Sequence, residues 1–299
     1  MPMLAALARP LDALADRLER ASGLDRPAEV LAGLLGRALP RGPVRDVASG
    51  TPLGHPLHPL LVAVPIGSWA AASYLDATGG DADTARRLVG LGIAGAIPAA
   101  VTGSNDWLST AGGERRVGLV HAALNDLALG MYIGSWRSRR RGNRGKGAVL
   151  AALGFAISGT AGWLGGHLAY ALGVGVDTTA FQHYPAEWTD VAADAEVPEG
   201  RPLAVDADGV PVLLVRHEGT ITALADRCTH RGGPLHEGSF ADGCVTCPWH
   251  QSTFSLADGS VQCGPASRPQ PMLEVRVAGG RVTVRRDEPR ALRTNPIGR

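Results

Sequence analysis

The sequence predicts a mixed fold, with an all-α N-terminal transmembrane four-helix bundle followed by an all-β C-terminal domain. Three observations support this prediction. Four long apolar stretches, rich in Ala, Gly, Leu and Val, lie before about residue 175. Short β-type runs separated by Gly and Asp turns follow after about residue 187. All four cysteines lie in this last third, with His230 and His250 close to two of them, which favours a metal site over a disulfide framework.

Residues 1–50 are predicted to be an amphipathic segment. In residues 3–20 leucines recur three and four positions apart, as on one face of a helix, and a second apolar stripe follows over residues 24–35. Such helices lie on a membrane surface, pack on a partner or dock on the protein's own body, and the sequence leaves these alternatives open.

Residues 51–175 are predicted to be a four-helix transmembrane domain. Each apolar stretch is close to the roughly 20 residues that cross a bilayer. Short connections predict an up-down-up-down bundle, and frequent Gly and Ala are typical of closely packed membrane helices. A soluble bundle is the alternative, but the stretches hold few charges. They cover residues 59–77, 88–105, 117–136 and 148–173.

The orientation in the cell membrane is predicted from the loop charges. Residues 137–147 carry six positive charges between the third and fourth stretches, and the positive-inside rule places this loop in the cytoplasm. Four spans then leave the C-terminal domain outside. The N-terminal segment argues against this orientation, because four spans would place its many arginines outside the cell as well. We expect the extracytoplasmic side for the C-terminal domain.

Polar side chains in the apolar stretches suggest a second site, because such groups are costly inside a membrane. In an up-down bundle they fall in one leaflet. Imidazoles on facing helices hold haem b in helix bundles, and the same groups suit a quinone pocket. The alternative is that they bond to one another and cap helices. The candidates are His58, His121, His167, Asn125 and Asp126.

The remaining chain divides into a linker at 176–187, a β domain at 188–286 and a tail at 287–299. Asp-Gly, Glu-Gly and Gly-Gly pairs mark the turns between its predicted strands. The strands are predicted at Pro202–Asp206, Val212–Val215, Ile221–Ala225, Gly243–Cys247, Leu273–Val277 and Arg281–Val284.

The β domain contains two short ligand motifs. Sixteen residues separate the first motif, Cys228-Thr-His230, from the second, Cys247-Pro-Trp-His250. In one class of [2Fe–2S] centre two histidines replace two cysteines on one iron, which raises the potential. The two motifs suit this centre, with both cysteines on one iron and both histidines on the other. A Cys₂His₂ zinc site is the alternative, but zinc fingers usually pair cysteine with cysteine and histidine with histidine.

With these motifs, residues 186–286 resemble the Rieske family. Arg231-Gly232-Gly233 follows the first motif, and Trp188-Thr-Asp-Val resembles the family's first strand. Gly264-Pro265-Ala266 resembles the proline loop that covers the cluster. The resemblance implies a [2Fe–2S] cluster on Cys228, His230, Cys247 and His250, supported by Ser252, Phe254, Gly264 and Pro265.

Departures from the family pattern bear on the potential. Rieske proteins of the cytochrome bc type join the two loops by a disulfide, but Gly233 and Trp249 stand at those positions. Ser252 matches the serine that bonds a bridging sulfide, whereas Phe254 stands where a tyrosine donates to a ligand sulfur. Fewer such hydrogen bonds stabilise the reduced cluster less. We expect a potential in the lower or middle part of the Rieske range of roughly −150 to +300 mV.

The stretch from Gly54 to Trp69 resembles a bacterial family of four-helix membrane domains of unknown function, over about residues 50–175. This resemblance supports the membrane prediction and supplies no activity.

These features predict a membrane-anchored Rieske protein that carries single electrons and exchanges them with a haem or quinone in the bundle. The alternatives are a ferredoxin-like donor to a separate oxygenase, with the helices only as anchor, and a redox-sensing membrane module. A self-contained oxygenase is not expected, because only 49 residues follow His250 and they hold no histidine. Expected partners are the lipid membrane and a redox protein or quinone. A net charge of +1 gives no reason to expect nucleic acid.

Overall fold

The computed structural model describes residues 2–286, so the predicted tail at 287–299 lies outside the described residues. The chain forms two units. The first unit consists of the described residues up to Gly50 together with Pro56–Val176. The second unit consists of Thr51–His55 together with the described residues from Asp177 onward. The first unit is helical and the second is built of β-sheets, which confirms the predicted mixed fold.

Three helices precede the bundle: α1 (Pro2–Arg20), α2 (Asp25–Ala38) and α3 (Pro43–Ser49). The first two match the predicted apolar stripes, whereas the seven-residue α3 was not predicted. Ala15 and Ala28 are completely buried, while Val30 and Leu34 are more than half exposed. Small residues therefore face the protein's own body, and larger apolar side chains remain on the surface.

Four long helical segments form the rest of the first unit and confirm the four predicted helices. By length and composition all four could cross a membrane. They consist of α4 (His58–Leu61) with α5 (Ala63–Ala77), α6 (Ala82–Trp107), α7 (Gly112–Arg140), and α8 (Arg144–Gly166) with its π-helical extension His167–Ala171.

The bundle is apolar on its outer surface. Its buried positions are mostly small residues such as Ala72, Ala85 and Ala151, while larger apolar side chains point outward. A soluble bundle shows the opposite pattern, since it buries its large apolar residues. Among the large exposed side chains are Leu60, Ile66, Leu91, Ile97, Leu127, Leu153 and Phe155.

The α5–α6 and α7–α8 hairpins place similar residues in equivalent positions, an internal repeat that the sequence reasoning missed. Trp69 stacks on Tyr132 at a ring separation of 3.8 Å. Asp76 accepts a hydrogen bond of 2.9 Å from the largely buried Arg139. Equivalent residues lie 63 positions apart in α4, α5 and α7 (58 and 121, 69 and 132, 76 and 139) and 62 apart in α6 and α8 (92 and 154, 99 and 161, 103 and 165).

The second unit contains two antiparallel sheets. The strands are β1 (Thr189–Ala193), β2 (Pro202–Ala207), β3 (Val210–His217), β4 (Thr220–Ala225), β5 (Ser239–Ala241), β6 (Cys244–Thr246), β7 (Thr253–Ser255), β8 (Val261–Cys263), β9 (Met272–Ala278) and β10 (Arg281–Arg285). Six of them form one sheet in the order β1-β10-β9-β4-β3-β2, and the other four form a second sheet in the order β5-β6-β7-β8.

All six strands listed from the sequence are present, whereas β5, β7 and β8 were missed because three residues carry too little alternation. The Asp208-Gly209 and Asp242-Gly243 turns have positive φ at both residues, as tight hairpins require. In β3, Val212 and Leu214 face one apolar core while Leu213 faces another. The ligand loops are built on this second core.

Candidate metal centre

The first ligand loop is a tight turn that leaves β4. The amide of Cys228 donates to Gly233 O at 2.9 Å, and the amide of Gly232 donates back to Cys228 O at 2.8 Å. Gly232 has a φ of 75°, which permits this reversal. These bonds place His230 at the tip of the turn.

The second ligand loop, between β6 and β7, is closed in the same way. The amide of Cys247 donates to Ser252 O at 2.9 Å, and that of Gln251 donates to Cys247 O at 3.1 Å. Gln251 has a φ of 64°, so it occupies the position that Gly232 holds in the first loop. This geometry accounts for the glycine common here in the family that the sequence resembles.

Both loops direct backbone amides at a buried sulfur. The amides of His230 and Arg231 donate to Cys228, and those of Trp249 and His250 donate to Cys247. The Cys228 thiol also donates to the Cys247 sulfur, which lowers the pKa of Cys247 to about 6. The same contact, with burial, raises the pKa of Cys228. The amides directed at both sulfurs stabilise negative charge there, as thiolate ligation of a metal requires.

The two imidazoles form a second pair of donors. The rings of His230 and His250 lie 5.0 Å apart at 86°, and both Nδ1 atoms are buried. Within residues 2–286, no three His, Cys, Asp or Glu side chains gather around one point that could hold a metal ion. A [2Fe–2S] centre with two imidazoles takes its ligands as two pairs, and the two sulfurs and the two imidazoles are arranged in this way. The donor set fits the cluster.

Gly233 and Trp249 occupy the two positions at which cytochrome bc-type Rieske proteins have disulfide-forming cysteines, and the four cysteines of this chain are free thiols. Gly233 and Trp249 are in close contact with each other. A Cβ built on Gly233 would lie 2.8 Å from Cys247 Sγ and 3.1 Å from the Trp249 ring. The indole therefore packs against the first loop where a side chain would displace a ligand.

The proline loop approaches the second ligand loop. Gly264 has a φ of 94°, and a Cβ there would come within 2.6 Å of Gln251 O. The amide of Ala266 donates to Ser252 Oγ at 3.0 Å. Since this Oγ accepts the amide, the Ser252 hydroxyl hydrogen remains available for a second bond. Both Ser252 and Phe254 are completely buried.

The structure separates the five candidates in the bundle. His58 Nδ1 lies 2.9 Å from Ala99 O, and His121 Nδ1 lies 2.8 Å from Ala161 O. Each imidazole packs on a glycine of the neighbouring helix, Gly103 or Gly165.

The other three candidates differ in their surroundings. Asn125 donates to His121 O at 2.9 Å and lies 3.2 Å from His121 Nε2. His167 Nε2 lies 2.8 Å from a carboxylate oxygen of Glu19 instead. Asp126 is exposed on the bundle surface. Of the five, the structure brings together His121 and Asn125, and it gives His58 carbonyl and glycine contacts equivalent to those of His121.

Comparison with known proteins identifies both parts of the chain. A family model described as "Rieske [2Fe-2S] domain" matches residues 187–286. The chain belongs to the Rieske family. A second model, described as "Predicted membrane protein (DUF2231)", matches residues 54–178. The Rieske match supports a [2Fe–2S] cluster and an electron-carrier role for this part of the chain.

The curated relatives match the Rieske domain. The anthranilate 1,2-dioxygenase ferredoxin subunit of Burkholderia cepacia is 34% identical over 33% of this chain and 92% of that protein. The 3-phenylpropionate/cinnamic acid dioxygenase ferredoxin subunit of Escherichia coli (strain K12) is 37% identical over 30% of this chain and 85% of that protein. The ferredoxin of carbazole 1,9a-dioxygenase from Nocardioides aromaticivorans IC177 is 28% identical, with a TM-score of 0.32, over 33% of this chain and 97% of that chain.

Two residues outside the motifs hold the first loop of the Rieske domain, and sequence reasoning missed both. The buried Gln270 donates to Ala225 O and Arg227 O at 2.7 Å and accepts from the Thr229 amide at 3.2 Å. Thr178 donates to Cys228 O at 2.7 Å. A polar residue between two prolines, at 269 and 271, was the available signal for Gln270.

Replacing Gly264 by Ala is expected to reduce the iron and acid-labile sulfide content of the purified protein by more than half. The added Cβ would displace the proline loop from the second ligand loop, and a positive φ costs an L-residue about 1–2 kcal/mol.

Gly243→Ala is the matched control. Its φ of 69° is also in the left-handed region, but a Cβ there would lie 3.8 Å from its nearest neighbour, the His217 ring. Equal cluster content in the two variants would show that contact with the loop is unimportant.

Proposed function

We propose that this chain is a membrane-anchored carrier of single electrons whose cluster is held by Cys228, His230, Cys247 and His250. The observation that carries the proposal is the convergence of two equally closed turns, which bring two sulfurs and two imidazoles together as pairs. When bound, the cluster supplies one centre that accepts and releases a single electron.

The residues around the cluster set how readily it is reduced. Four backbone amides directed at the two sulfurs favour the more negative, reduced state. Phe254 is completely buried but has no hydroxyl to add a further hydrogen bond. This combination supports a potential in the lower or middle part of the family's range.

Electron exchange is proposed to occur at the loop tips. Trp249 is 55% exposed, and its ring lies 6.5 Å from the His250 ring. Exposed aromatic side chains are frequent anchors of protein interfaces. Two exposed arginines lie close to these loops in the sequence: Arg227 directly precedes Cys228, and Arg268 follows the proline loop. Their positive charge suits an acidic partner surface. Since its curated relatives are ferredoxin subunits, we propose a separate oxidoreductase, such as an oxygenase, as the partner.

Cys247→Ser and His250→Ala are each expected to abolish the Rieske-type EPR signal of the dithionite-reduced full chain. Cys263→Ser and His183→Ala should retain it, because both side chains are exposed and neither belongs to the two loops. In the wild type, a redox titration should show one-electron behaviour with a midpoint within roughly −150 to +100 mV. A wild type that shows no signal after reconstitution with iron and sulfide contradicts the proposal.

The helical unit is proposed to anchor the chain in the cell membrane. Its outward side chains are apolar along helices long enough to span a bilayer. Val44 and Val47 of α3 are also more than half exposed, as expected for a helix lying in the membrane surface. Arg139 is turned inward to Asp76, but the other basic residues of the segment 137–147 still give it a positive charge. By the positive-inside rule this charge supports a cytoplasmic loop and therefore an extracytoplasmic Rieske domain.

The orientation is tested by labelling Cys263, an exposed thiol, in a Cys244→Ser background. A membrane-impermeant maleimide should label the chain in sealed right-side-out vesicles, and the additional Cys263→Ser change should abolish labelling. Labelling that requires permeabilised vesicles would place the Rieske domain in the cytoplasm.

The paired imidazoles of the bundle favour a second function, electron exchange with a haem or quinol. A carbonyl oxygen only accepts hydrogen bonds, so His58 and His121 must each carry their hydrogen on Nδ1. His58 Nε2 therefore has a lone pair in a ring held by its other nitrogen, which is how metal-binding histidines are oriented. The Nε2 lone pair of His121 instead accepts from Asn125 Nδ2 at 3.2 Å, so a haem or quinol at His121 would have to displace this amide. The His58 lone pair would accept the O–H of a quinol.

His58→Ala and His121→Ala are each expected to remove this exchange, whereas His167→Ala should preserve it because that imidazole bonds to Glu19. The measurements are the reduced-minus-oxidised haem spectrum of the purified chain and, in the absence of haem, reduction of the cluster by an added quinol. A wild type with neither haem nor quinol-dependent reduction would exclude this second function.

A further inference from the structure

A residue far from the Rieske domain in sequence bonds to its proline loop. Thr51 Oγ1 lies 2.9 Å from Gly264 O and 2.9 Å from Ala266 O, so it contacts the loop on both sides of Pro265. Thr51 precedes Gly264 by 213 positions and lies outside both family matches. The segment Thr51–His55 nevertheless forms part of the second unit.

A second contact strengthens this attachment. The Arg268 guanidinium donates to Gly54 O at 3.4 Å, just beyond the proline loop. The segment is thus bonded to the loop through Thr51 and to the residue that follows it through Gly54. Gly54 has a φ of 70°, which allows the chain to turn within the segment.

The other side of the proline loop is already fixed. The Ala266 amide donates to Ser252 Oγ, and the Gly264 backbone lies against Gln251 and Ser252. Ala266 therefore uses its N–H toward the second ligand loop and its C=O toward Thr51. Thr51 has one hydroxyl hydrogen, which the carbonyls of Gly264 and Ala266 share. Without it both carbonyls would lose this donor, and the attachment through Thr51 on this side of the loop would be lost.

We propose that Thr51 is a positioning residue for the cluster, which fixes the proline loop over the second ligand loop and limits the access of water. This inference rests on the proposed function of the Rieske domain and extends it, because the cluster environment is completed by a residue preceding the first candidate span. A looser loop would admit water, and water favours the more highly charged reduced state of the cluster.

The test compares Thr51→Val with Thr51→Ser in the full-length protein. Valine keeps the shape of threonine but lacks the hydroxyl, whereas serine keeps the hydroxyl. The valine variant should lose its cluster to an iron chelator about tenfold faster than the wild type, followed by visible absorption. Its midpoint potential should also be higher, while the serine variant should match the wild type in both measurements.

The outcomes separate this inference from the proposed function. A Thr51→Val protein with unchanged chelation rate and potential overturns the role of Thr51 while the cluster assignment stands. If the valine variant does not retain any cluster, rescue by serine supports the inference and failure of serine to rescue overturns it. A wild type without a cluster overturns both.

Discussion

The second unit depends on one constraint: two negatively charged sulfurs must lie side by side in a buried site. Backbone amides meet this constraint, because each ligand loop is a turn that points two N–H groups at its own sulfur. The two turns are closed by equivalent hydrogen bonds, with Gly232 and Gln251 at the reversal. Gln270 anchors the first turn and the proline loop abuts the second. The remaining strands supply the apolar core on which both turns rest.

The first unit is organised by pairs of equivalent residues from a repeated helix hairpin. An aromatic stack joins Trp69 to Tyr132, and an ion pair joins Asp76 to Arg139. A charged pair this well buried is costly unless its members bond to each other, so it fixes the register of α5 against α7. Small residues between the helices allow close packing, and the large apolar side chains point outward, as on helices that face lipid. His58 and His121 continue the series of pairs toward the other end of α5.

Local patterns made much of this predictable. Ligand types and spacing identified the cluster loops, and long apolar stretches identified the bundle helices. The features that the sequence did not predict depend on contacts between residues that are distant in sequence. The prolines beside Gln270 mark that residue without revealing its partners. Nothing near Thr178 shows that it holds the first loop, and nothing near Thr51 points to the proline loop. Helix rotation decides that His121 bonds to Ala161 O while His167 bonds to Glu19, and one sequence does not fix that rotation. Strands of three residues are too short for a periodic signal.

The central claim is that two histidines share one iron of the cluster while two cysteines hold the other. Pulsed EPR of the dithionite-reduced full chain, labelled with ¹⁵N only in histidine, tests it most directly. The account predicts strong coupling of the electron spin to two inequivalent histidine nitrogens, with one of them lost in any His250 variant that still binds iron. A reduced cluster with no strongly coupled histidine nitrogen would contradict the claim, because no imidazole would then be bound to the iron.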